Sequence, residues 1–276
     1  MTLSGQVALI TGAGRPGGLG VAIAARLAAA GARIVLHDRG ALSGDLAPAH
    51  GIGGRDDLEA TADTLRATGA EVVTVTGDLL EEQVLTDIVA SADRAFGRLD
   101  ILVNNAGIGY LFGPLTDITA AQLDAVLGVN LRAPVLLTRD AARLMIRGGR
   151  GGRVINIASQ AGKSGFAFAV AYTASKHGLI GLTRAAALEL GPHGITVNAI
   201  CPNHVTTGLG AWQNEFRARA RGQSVDDYLA AMRARIPLGR TGTPDDTAAM
   251  AAFLCSAEAG YVTAEAINVS GGEEYH

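Results

Sequence analysis

Tyr172, Lys176 and Ser159 have side chains and spacings suited to proton transfer. In the sequence YTASK, Tyr172 and Lys176 are four residues apart, which places them on one helix face, one turn from each other. A phenol has a pKa near ~10 and is a poor base at neutral pH, but a neighbouring ammonium lowers that pKa. Ser159 ends the apolar stretch RVINIAS, thirteen residues before Tyr172. The chain has only two lysines, Lys163 and Lys176, against 21 arginines, and a lysine here supplies a compact point charge.

A glycine-rich loop near the N-terminus has the composition of a phosphate-binding loop. The stretch TGAGRPGGLG joins the apolar run 7–11 to a helical pattern, so backbone N–H groups and a helix N-terminus meet there. Two patterns overlap in it. Gly12, Gly14 and Gly17 spell G-x-G-x-x-G, whereas 18–20 closes a longer loop that opens at Gly12. Either pattern predicts that the loop binds the pyrophosphate of a dinucleotide.

Seven short β-branched runs alternate with long helical patterns and predict an α/β fold. Most runs are continuously apolar, as strands of a parallel sheet buried on both faces are. Repeated β-α units imply right-handed crossovers and a doubly wound sheet, which binds ligands at the carboxyl ends of its strands. No linker divides the chain, so 1–276 is expected to form a single domain. The predicted strands are 7–11, 33–37, 71–76, 100–103, 153–158, 196–200 and 266–269.

Two segments interrupt this alternation. The stretch 40–55, GALSGDLAPAHGIGGR, follows the second strand, and either folds over the adenine and slows cofactor release or is a surface loop without such a role. The stretch 208–236 contains a predicted helix in SVDDYLAAMRARI. Long loops in compact domains serve as functional lids or mobile segments.

Composition excludes several classes of function. The formal net charge of −3 predicts no field that attracts nucleic acid, and RGGRGGR at 147–153 is interpreted as a flexible turn. No run of about 18 uninterrupted apolar residues exists, so no membrane span is expected. Cys201 and Cys255 form no framework and have no metal-ligand spacing, and the N-terminus lacks a basic-then-apolar export signal. We therefore expect a cytoplasmic protein without a metal site.

Further motifs accompany the glycine loop and the Ser, Tyr and Lys residues, so that the ordered set is TGAGRPGGLG, Asp78-Leu79, NNAG at 104–107, Asn130, Ser159, Tyr172, Lys176, CPNHVTT at 201–207 and VSGG at 269–272. Taken together, these motifs resemble those of the short-chain dehydrogenase/reductase family, over nearly the whole chain. The resemblance implies a Rossmann fold with a seven-stranded parallel sheet, an NAD(P)-dependent oxidoreductase, and a homo-oligomer, with a tetramer favoured. Helices expected at 119–146 and 171–191, apolar beyond one stripe, could supply the shared faces.

The resemblance implies four catalytic residues. Tyr172 is expected to be the general acid/base, and Lys176 to lower its pKa and hydrogen-bond the nicotinamide ribose. Ser159 is expected to orient the substrate oxygen, and Asn130 either anchors a water of the proton relay or is a structural residue. Lowering the Tyr172 pKa by roughly 3 units requires about 4 kcal/mol, which Lys176 and an oxidised nicotinamide together could supply.

The resemblance also assigns the cofactor-binding residues. The family loop reads T-G-x-x-x-G-x-G, so 18–20 is its end, and this chain carries two residues more than the pattern between Gly12 and Gly18. The literal G-x-G-x-x-G is therefore expected to be coincidental. Asn104 and Ala106 are expected on the adenosine side, although Asn104 could be purely structural. The full expected set is Gly12, Arg15, Gly18, Leu19, Asp38, Asp78, Leu79, Asn104, Ala106, Tyr172, Lys176, Val205 and Thr207.

Asp38 predicts NAD rather than NADP as the cofactor. An acidic residue roughly twenty positions past the glycine loop accepts hydrogen bonds from a free ribose 2′-hydroxyl and repels a 2′-phosphate. Two basic residues oppose this interpretation, because Arg39 follows Asp38 directly and Arg15 lies in the glycine loop. Either guanidinium could hold a phosphate bidentately or could be a solvated surface charge.

The expected activity is the interconversion of a secondary alcohol and a ketone. A 3-oxoacyl-thioester reductase that uses NADPH shares every motif, and a nucleotide-sensing binding protein without turnover is a further alternative. Residues 208–236 are expected to select the small-molecule substrate, and arginines there either favour an anionic substrate or form a solvated face. Asn203 replaces the family's usual glycine and tolerates a left-handed backbone. Asn203 and His204 are expected to face the nicotinamide pocket.

Overall fold

Residues 2–40 and 54–276 are described by a computed structural model of the chain, and all seven predicted strands lie within two residues of their expected bounds. The strands are β1 (Val7–Thr11), β2 (Arg33–Asp38), β3 (Val72–Thr76), β4 (Ile101–Asn104), β5 (Gly152–Ile157), β6 (Ile195–Pro202) and β7 (Ala266–Val269). The helices are α1 (Leu19–Ala29), α2 (Arg55–Ala67), α3 (Glu82–Phe96), α4 (Ala120–Leu127), α5 (Ala133–Gly148), α6 (Val170–Leu190), α7 (Gly208–Ala220), α8 (Val225–Arg235) and α9 (Pro244–Cys255).

In this described part the seven strands form one parallel sheet in the order β3-β2-β1-β4-β5-β6-β7. The strand order reverses at β1, which pairs with β2 on one side and with β4 on the other. Ligands of doubly wound sheets bind at such a switch point. The predicted Rossmann fold with a seven-stranded parallel sheet is therefore confirmed.

Helices cover both faces of the sheet, which explains why its strands are continuously apolar. Neighbouring residues of β1 enter opposite cores, since Leu9 packs with α3, α5 and α6 while Ile10 packs with α1, α2 and α9. Every residue of β1, β4 and β6 is buried. This burial makes the sheet a rigid base for the loops at its carboxyl edge.

The run Ala120–Gly148 consists of α4, a π-helical turn at Gly128–Arg132 and α5. Its length and composition alone would allow it to cross a membrane, a test that core helices of soluble proteins also pass. In this domain α4 contacts α6, and α5 contacts α3, β4 and β5. The run is therefore packed into the helical layer of the fold.

The segments that interrupt the alternation lie near the carboxyl edge or in turns. The predicted helix in the stretch 208–236 is α8, which shares a small core with α7 through Ala218, Tyr228 and Met232. Gly40 pairs with Gly54, so the ends of the 40–55 insertion are held together. Its interior, 41–53, lies outside the described residues, and its role over the adenine stays a prediction. The tract 147–153 comprises the last turn of α5, the connection at 149–151 and the start of β5.

Candidate active site

Two adjoining clefts open at the carboxyl edge of the sheet. The nucleotide cleft, with about 1060 Å³ of empty space, runs along the ends of β1, β2 and β4. The substrate cleft, with about 780 Å³, lies among the end of β5, helix α6 and helix α7. Leu19, Thr207 and Leu209 line both clefts, so ligands in the two clefts meet at these residues.

The glycine loop lies along the nucleotide cleft with a shape that fits a pyrophosphate. Gly12 has a φ of +69°, and a Cβ there would lie 2.7 Å from the Cα of Ala106, so only glycine allows this approach. Gly18 is the N-cap of α1 and provides no side-chain cap, which leaves the first N–H groups of the helix available to an anion. Gly12, Gly18 and Leu19 line the cleft, where the resemblance places them.

The literal G-x-G-x-x-G has a structural explanation of its own. The Gly14 N–H donates to Asp38 Oδ2 at 2.7 Å, and a Cβ on Gly14 would lie 3.0 Å from the Cβ of Asp38. Gly17 has a φ of +68°. Neither glycine lines the nucleotide cleft, whereas Arg15 does. The Arg15 guanidinium reaches the backbone of Gly208, at the start of α7.

The adenosine end of the nucleotide cleft contains Asp38, Arg39, Asp78 and Leu79. Asp38 Oδ1 accepts the Arg39 N–H at 2.7 Å, so both carboxylate oxygens are held by backbone N–H groups. Burial raises the pKa of Asp38, while these two hydrogen bonds oppose the rise. The Arg39 guanidinium lies 2.6 Å from Asp78 Oδ2 and forms an ion pair with it.

Asn104 does not line the nucleotide cleft, contrary to what the resemblance implied. It is buried at the end of β4, and its amide donates to Asn156 Oδ1 at 2.8 Å and to Thr138 Oγ1 at 3.2 Å. The next residue, Asn105, lines the cleft with Ala106 and ties the glycine loop to β4 through a hydrogen bond to the Thr11 carbonyl. The structural alternative for Asn104 is therefore the observed one.

Ser159, Tyr172 and Lys176 come together beside the substrate cleft. Ser159 follows β5, while Tyr172 and Lys176 lie one turn apart on α6. Ser159 and Tyr172 both line the cleft, and the Ser159 hydroxyl lowers the pKa of the Tyr172 phenol. Lys176 Nζ donates to the Ile157 carbonyl at 2.7 Å and lies 5.7 Å from the centroid of the Tyr172 ring. The spacing read from YTASK therefore produces the expected juxtaposition.

The pKa of Tyr172 is raised, which is opposite to the lowering expected from Lys176. Burial is the largest cause, and it outweighs the hydrogen bond from Ser159 and the charge of Arg217, both of which lower that pKa. Burial also lowers the pKa of Lys176 to about 8. The chain by itself therefore disfavours the phenolate, and a further positive charge is needed to reverse the direction.

Asn130 lies in the π-helical turn between α4 and α5 and is fully buried. Its Oδ1 accepts the Ile108 N–H at 2.7 Å, and its Nδ2 donates to the Ile108 carbonyl at 2.9 Å and to Ser175 Oγ at 3.0 Å. A Cβ on Gly107 would lie 3.3 Å from Asn130 Oδ1 and 3.7 Å from Lys176 Nζ. The Asn130 amide thus fixes the backbone that faces Lys176.

Comparisons with known proteins agree with this geometry. A family model described as enoyl-(acyl carrier protein) reductase matches residues 12–274. Galactitol 2-dehydrogenase of Agrobacterium fabrum is 36% identical over 272 residues, which cover 99% of this chain and 98% of that protein. Carveol dehydrogenase of Mycobacterium avium, solved in complex with NAD, has a TM-score of 0.91 at 32% identity and covers 98% of both chains. Actinorhodin polyketide ketoreductase, solved with NADPH, has a TM-score of 0.88 at 35% identity and covers 100% of both chains.

The chain belongs to the short-chain dehydrogenase/reductase family. It is an NAD(P)-dependent oxidoreductase that acts on CH–OH groups. The family resemblance of the sequence motifs is therefore confirmed, together with the class of reaction and the cofactor class that it implied. Among the described residues no group of three or more His, Cys, Asp or Glu side chains is placed to hold a metal ion.

This short-chain dehydrogenase departs from the family pattern in the loop after β6. His204, and not Asn203, has the positive φ, at 43°, so the tolerance of Asn203 for a left-handed backbone is not used in this loop. The Asn203 amide donates to Glu273 Oε2 at 2.7 Å, and His204 Nε2 lies 3.1 Å from the same oxygen. Burial lowers the pKa of His204 to about 4, so the ring is neutral at pH 7. Both residues line the substrate cleft.

Val205 and Thr207 complete the expected cofactor-binding set. Val205 lines the substrate cleft and pairs with Gly242. Thr207 lines both clefts, and its Oγ1 accepts the Gly210 N–H at 3.1 Å as the N-cap of α7. The sequence reasoning missed Glu273, which no motif marks, and did not single out Arg217 within the stretch 208–236.

Proposed function

We propose that this enzyme interconverts a secondary alcohol and a ketone with NAD, and that Ser159, Tyr172 and Lys176 carry out the proton transfer. The observation that carries the proposal is that Ser159 and Tyr172 both line the wall of the substrate cleft, close enough for the Ser159 hydroxyl to lower the pKa of the phenol. A substrate oxygen in this cleft can exchange a proton with Tyr172 and accept a hydrogen bond from Ser159. Lys176 donates to the Ile157 carbonyl, and this hydrogen bond holds its positive charge near the ring of Tyr172.

The nucleotide cleft fits a dinucleotide, which supplies the hydride acceptor or donor when bound. Gly12 and the N-terminus of α1 provide backbone N–H groups for its pyrophosphate. Tyr172 takes the proton of the alcohol during oxidation and returns it during reduction. Burial raises the pKa of Tyr172, and the positive charge of an oxidised cofactor, when bound, would favour the phenolate.

A preference for NAD over NADP is supported by the neighbours of Asp38. Its carboxylate lines the nucleotide cleft and is fixed by two backbone N–H groups, so it cannot turn away from a 2′-phosphate without losing them. The Arg39 guanidinium is already paired with Asp78. The positive charge of Arg39, next to Asp38, is therefore compensated by Asp78 within the protein itself.

Absorbance at 340 nm tests the activity with purified protein, both nucleotides, and a panel of secondary alcohols, ketones and 3-oxoacyl thioesters. NAD-dependent turnover of alcohols or ketones supports the proposal. Turnover confined to 3-oxoacyl thioesters with NADPH would instead identify a 3-oxoacyl-thioester reductase, and several relatives are named ketoacyl reductases. Nucleotide binding without turnover of any member of the panel would favour a binding protein.

We further propose that the enzyme forms a homotetramer through faces that include α4, α5 and α6. Large apolar side chains on these helices are exposed, and Leu188 on α6 is 79% exposed. Others in the same group are Leu123, Val135, Ile146 and Val170. Light scattering at micromolar concentration should give four times the mass of one chain, and Leu188→Lys should lower it. A monomeric wild-type protein would contradict the assembly.

We also propose that the enzyme acts in the cytoplasm. Both of its cysteines, Cys201 and Cys255, are free and buried, which suits a reducing compartment. Fractionation of the source cells followed by immunodetection tests this. Recovery of the protein in a membrane or exported fraction would contradict it.

A further inference from the structure

Arg217 differs from the other arginines near it in its surroundings. Arg219 and Arg221 are exposed, whereas Arg217 is half-buried and lines the substrate cleft together with Ser159 and Tyr172. Its charge reaches the reacting phenol, because it lowers the pKa of Tyr172. One arginine of the α7 segment therefore belongs to the substrate cleft, and its neighbours form a solvated face.

The Arg217 guanidinium has an aromatic neighbour but no anion. Its Cζ lies 5.2 Å from the centroid of the Phe166 ring, within the range of a cation–π contact. Across residues 2–40 and 54–276, no hydrogen bond or ion pair of this guanidinium is formed with another side chain or with the backbone. A half-buried cation without a counter-ion is costly unless a ligand supplies one.

The other charged groups beside this cleft are compensated within the protein. Glu273 accepts hydrogen bonds from Asn203 and from Arg235, whose Nε lies 3.1 Å from Glu273 Oε1. His204, on the same carboxylate, is neutral at pH 7. Lys176 donates to the Ile157 carbonyl. Within the described part of the chain, Arg217 is left as the uncompensated cation of the substrate cleft.

We propose that the substrate is an anionic alcohol or ketone, a hydroxy or oxo acid, whose carboxylate is bound by Arg217 while its reacting oxygen lies at Ser159 and Tyr172. The inference rests on the proposed function and names its substrate class. A guanidinium matches the two oxygens of a carboxylate with two parallel N–H donors. A phosphate dianion would require a second cation, and no other uncompensated cation faces this cleft in the described residues.

Kinetics with matched acid and ester pairs tests this recognition. We expect kcat/KM for 3-hydroxybutyrate, mandelate or 4-hydroxycyclohexanecarboxylate to exceed that for the corresponding methyl ester by about 10- to 100-fold, the usual gain from hydrogen bonds between charged groups. Arg217→Met should bring this ratio close to one, because it lowers kcat/KM for the acid much more than kcat/KM for the ester. Arg217→Lys should restore part of it, and Arg219→Met is the matched control that should keep it.

The ratio of kcat/KM for the acid to kcat/KM for its ester separates recognition of the carboxylate from other roles of Arg217. A loss of folding, or of the effect of Arg217 on the pKa of Tyr172, would lower the turnover of acid and ester alike. A wild-type ratio near one for every pair, or an unchanged ratio in Arg217→Met, would overturn the proposal. An equal loss in Arg219→Met would do the same, because it would show a general effect of charge.

Binding without turnover provides an independent readout. Trp212 is the only tryptophan in the sequence and lies on α7 one turn before Phe216, so its fluorescence reports ligands near this helix. With NAD present, cyclohexanecarboxylate should bind about 10-fold more tightly than cyclohexanecarboxamide, and Arg217→Met should abolish the difference. Equal binding of the two probes, or tighter binding of inorganic phosphate, would refute a carboxylate site. This titration decides the site even if no alcohol or ketone is turned over.

Discussion

Asp38→Asn should remove most of the discrimination between NAD and NADP. The substitution deletes the negative charge at the adenosine end of the nucleotide cleft and keeps the size of the side chain. The amide oxygen can still accept the Gly14 N–H, which holds the glycine loop, while the amide nitrogen cannot accept the Arg39 N–H and that hydrogen bond is lost. Asp38→Ala removes that acceptor too, so a comparison of the two variants separates charge from loop structure.

The magnitude follows from the charges involved. Two unit charges 4 Å apart interact by about 4 kcal/mol at an effective dielectric constant of about 20. A 2′-phosphate carries roughly −1.5 to −2 charges, and displacement and solvent relieve part of the repulsion. We therefore expect the wild-type enzyme to favour NAD by at least about 100-fold in kcat/KM. In Asp38→Asn a neutral hydrogen bond replaces a charge-assisted one at the ribose, which should cost NAD about 10-fold, while NADP improves by a similar factor.

Initial rates at 340 nm and fluorescence titrations with NADH and NADPH provide two measurements, the second independent of any substrate. Asp87→Asn removes the same charge from the exposed face of α3 and should leave the preference unchanged. Asp78→Asn should free Arg39 and improve NADP further in combination with Asp38→Asn. A wild-type preference for NADP, or an unchanged ratio in Asp38→Asn, would refute the reasoning.

Three further outcomes are expected. Tyr172→Phe should keep folding and cofactor binding but lose roughly 10²–10⁴-fold in kcat, and near wild-type turnover with intact binding would remove Tyr172 from proton transfer. Gly20→Ala places a Cβ against the Gly12 carbonyl oxygen, so it should cost about 1–3 kcal/mol in urea unfolding and weaken NAD binding; unchanged values would mean that the loop adapts freely. Burial lowers the pKa of His37 from 6.5 in the unfolded chain to about 4 in the folded protein. Between these two pH values the unfolded chain binds a proton that the folded protein does not, so the free energy of unfolding should fall as the pH is lowered, by up to about 1.4 kcal/mol per pH unit. His37→Gln should reduce this slope in urea unfolding, and an identical slope would exclude His37 as its source.

The sequence by itself determined the elements of the fold and the positions of the residues proposed to be catalytic. Continuous apolar runs and helical periodicity depend on local spacing and on burial, so the strands were predicted to within two residues. Tyr172 and Lys176 are four residues apart on one helix, and this spacing of about one turn places them side by side. The position of Ser159 also followed from the sequence. Ser159 comes at the end of a strand, and the carboxyl ends of the strands form the edge of the sheet where ligands bind.

Only the tertiary structure decided which neighbouring residue faces the nucleotide cleft and which charges are compensated. Asn105, and not Asn104, lines the cleft, because the end of β4 turns one amide into the sheet and the next toward the loop. Glu273 compensates Arg235 across 38 residues of sequence, and Arg217 is left without an anion in the described part of the chain. Burial also outweighs the favourable contacts of the Tyr172 phenol, so the chain alone raises a pKa that Lys176 and an oxidised nicotinamide together were expected from the sequence to lower. Compensation and desolvation depend on distances between segments that are remote in sequence, and no local pattern records those distances.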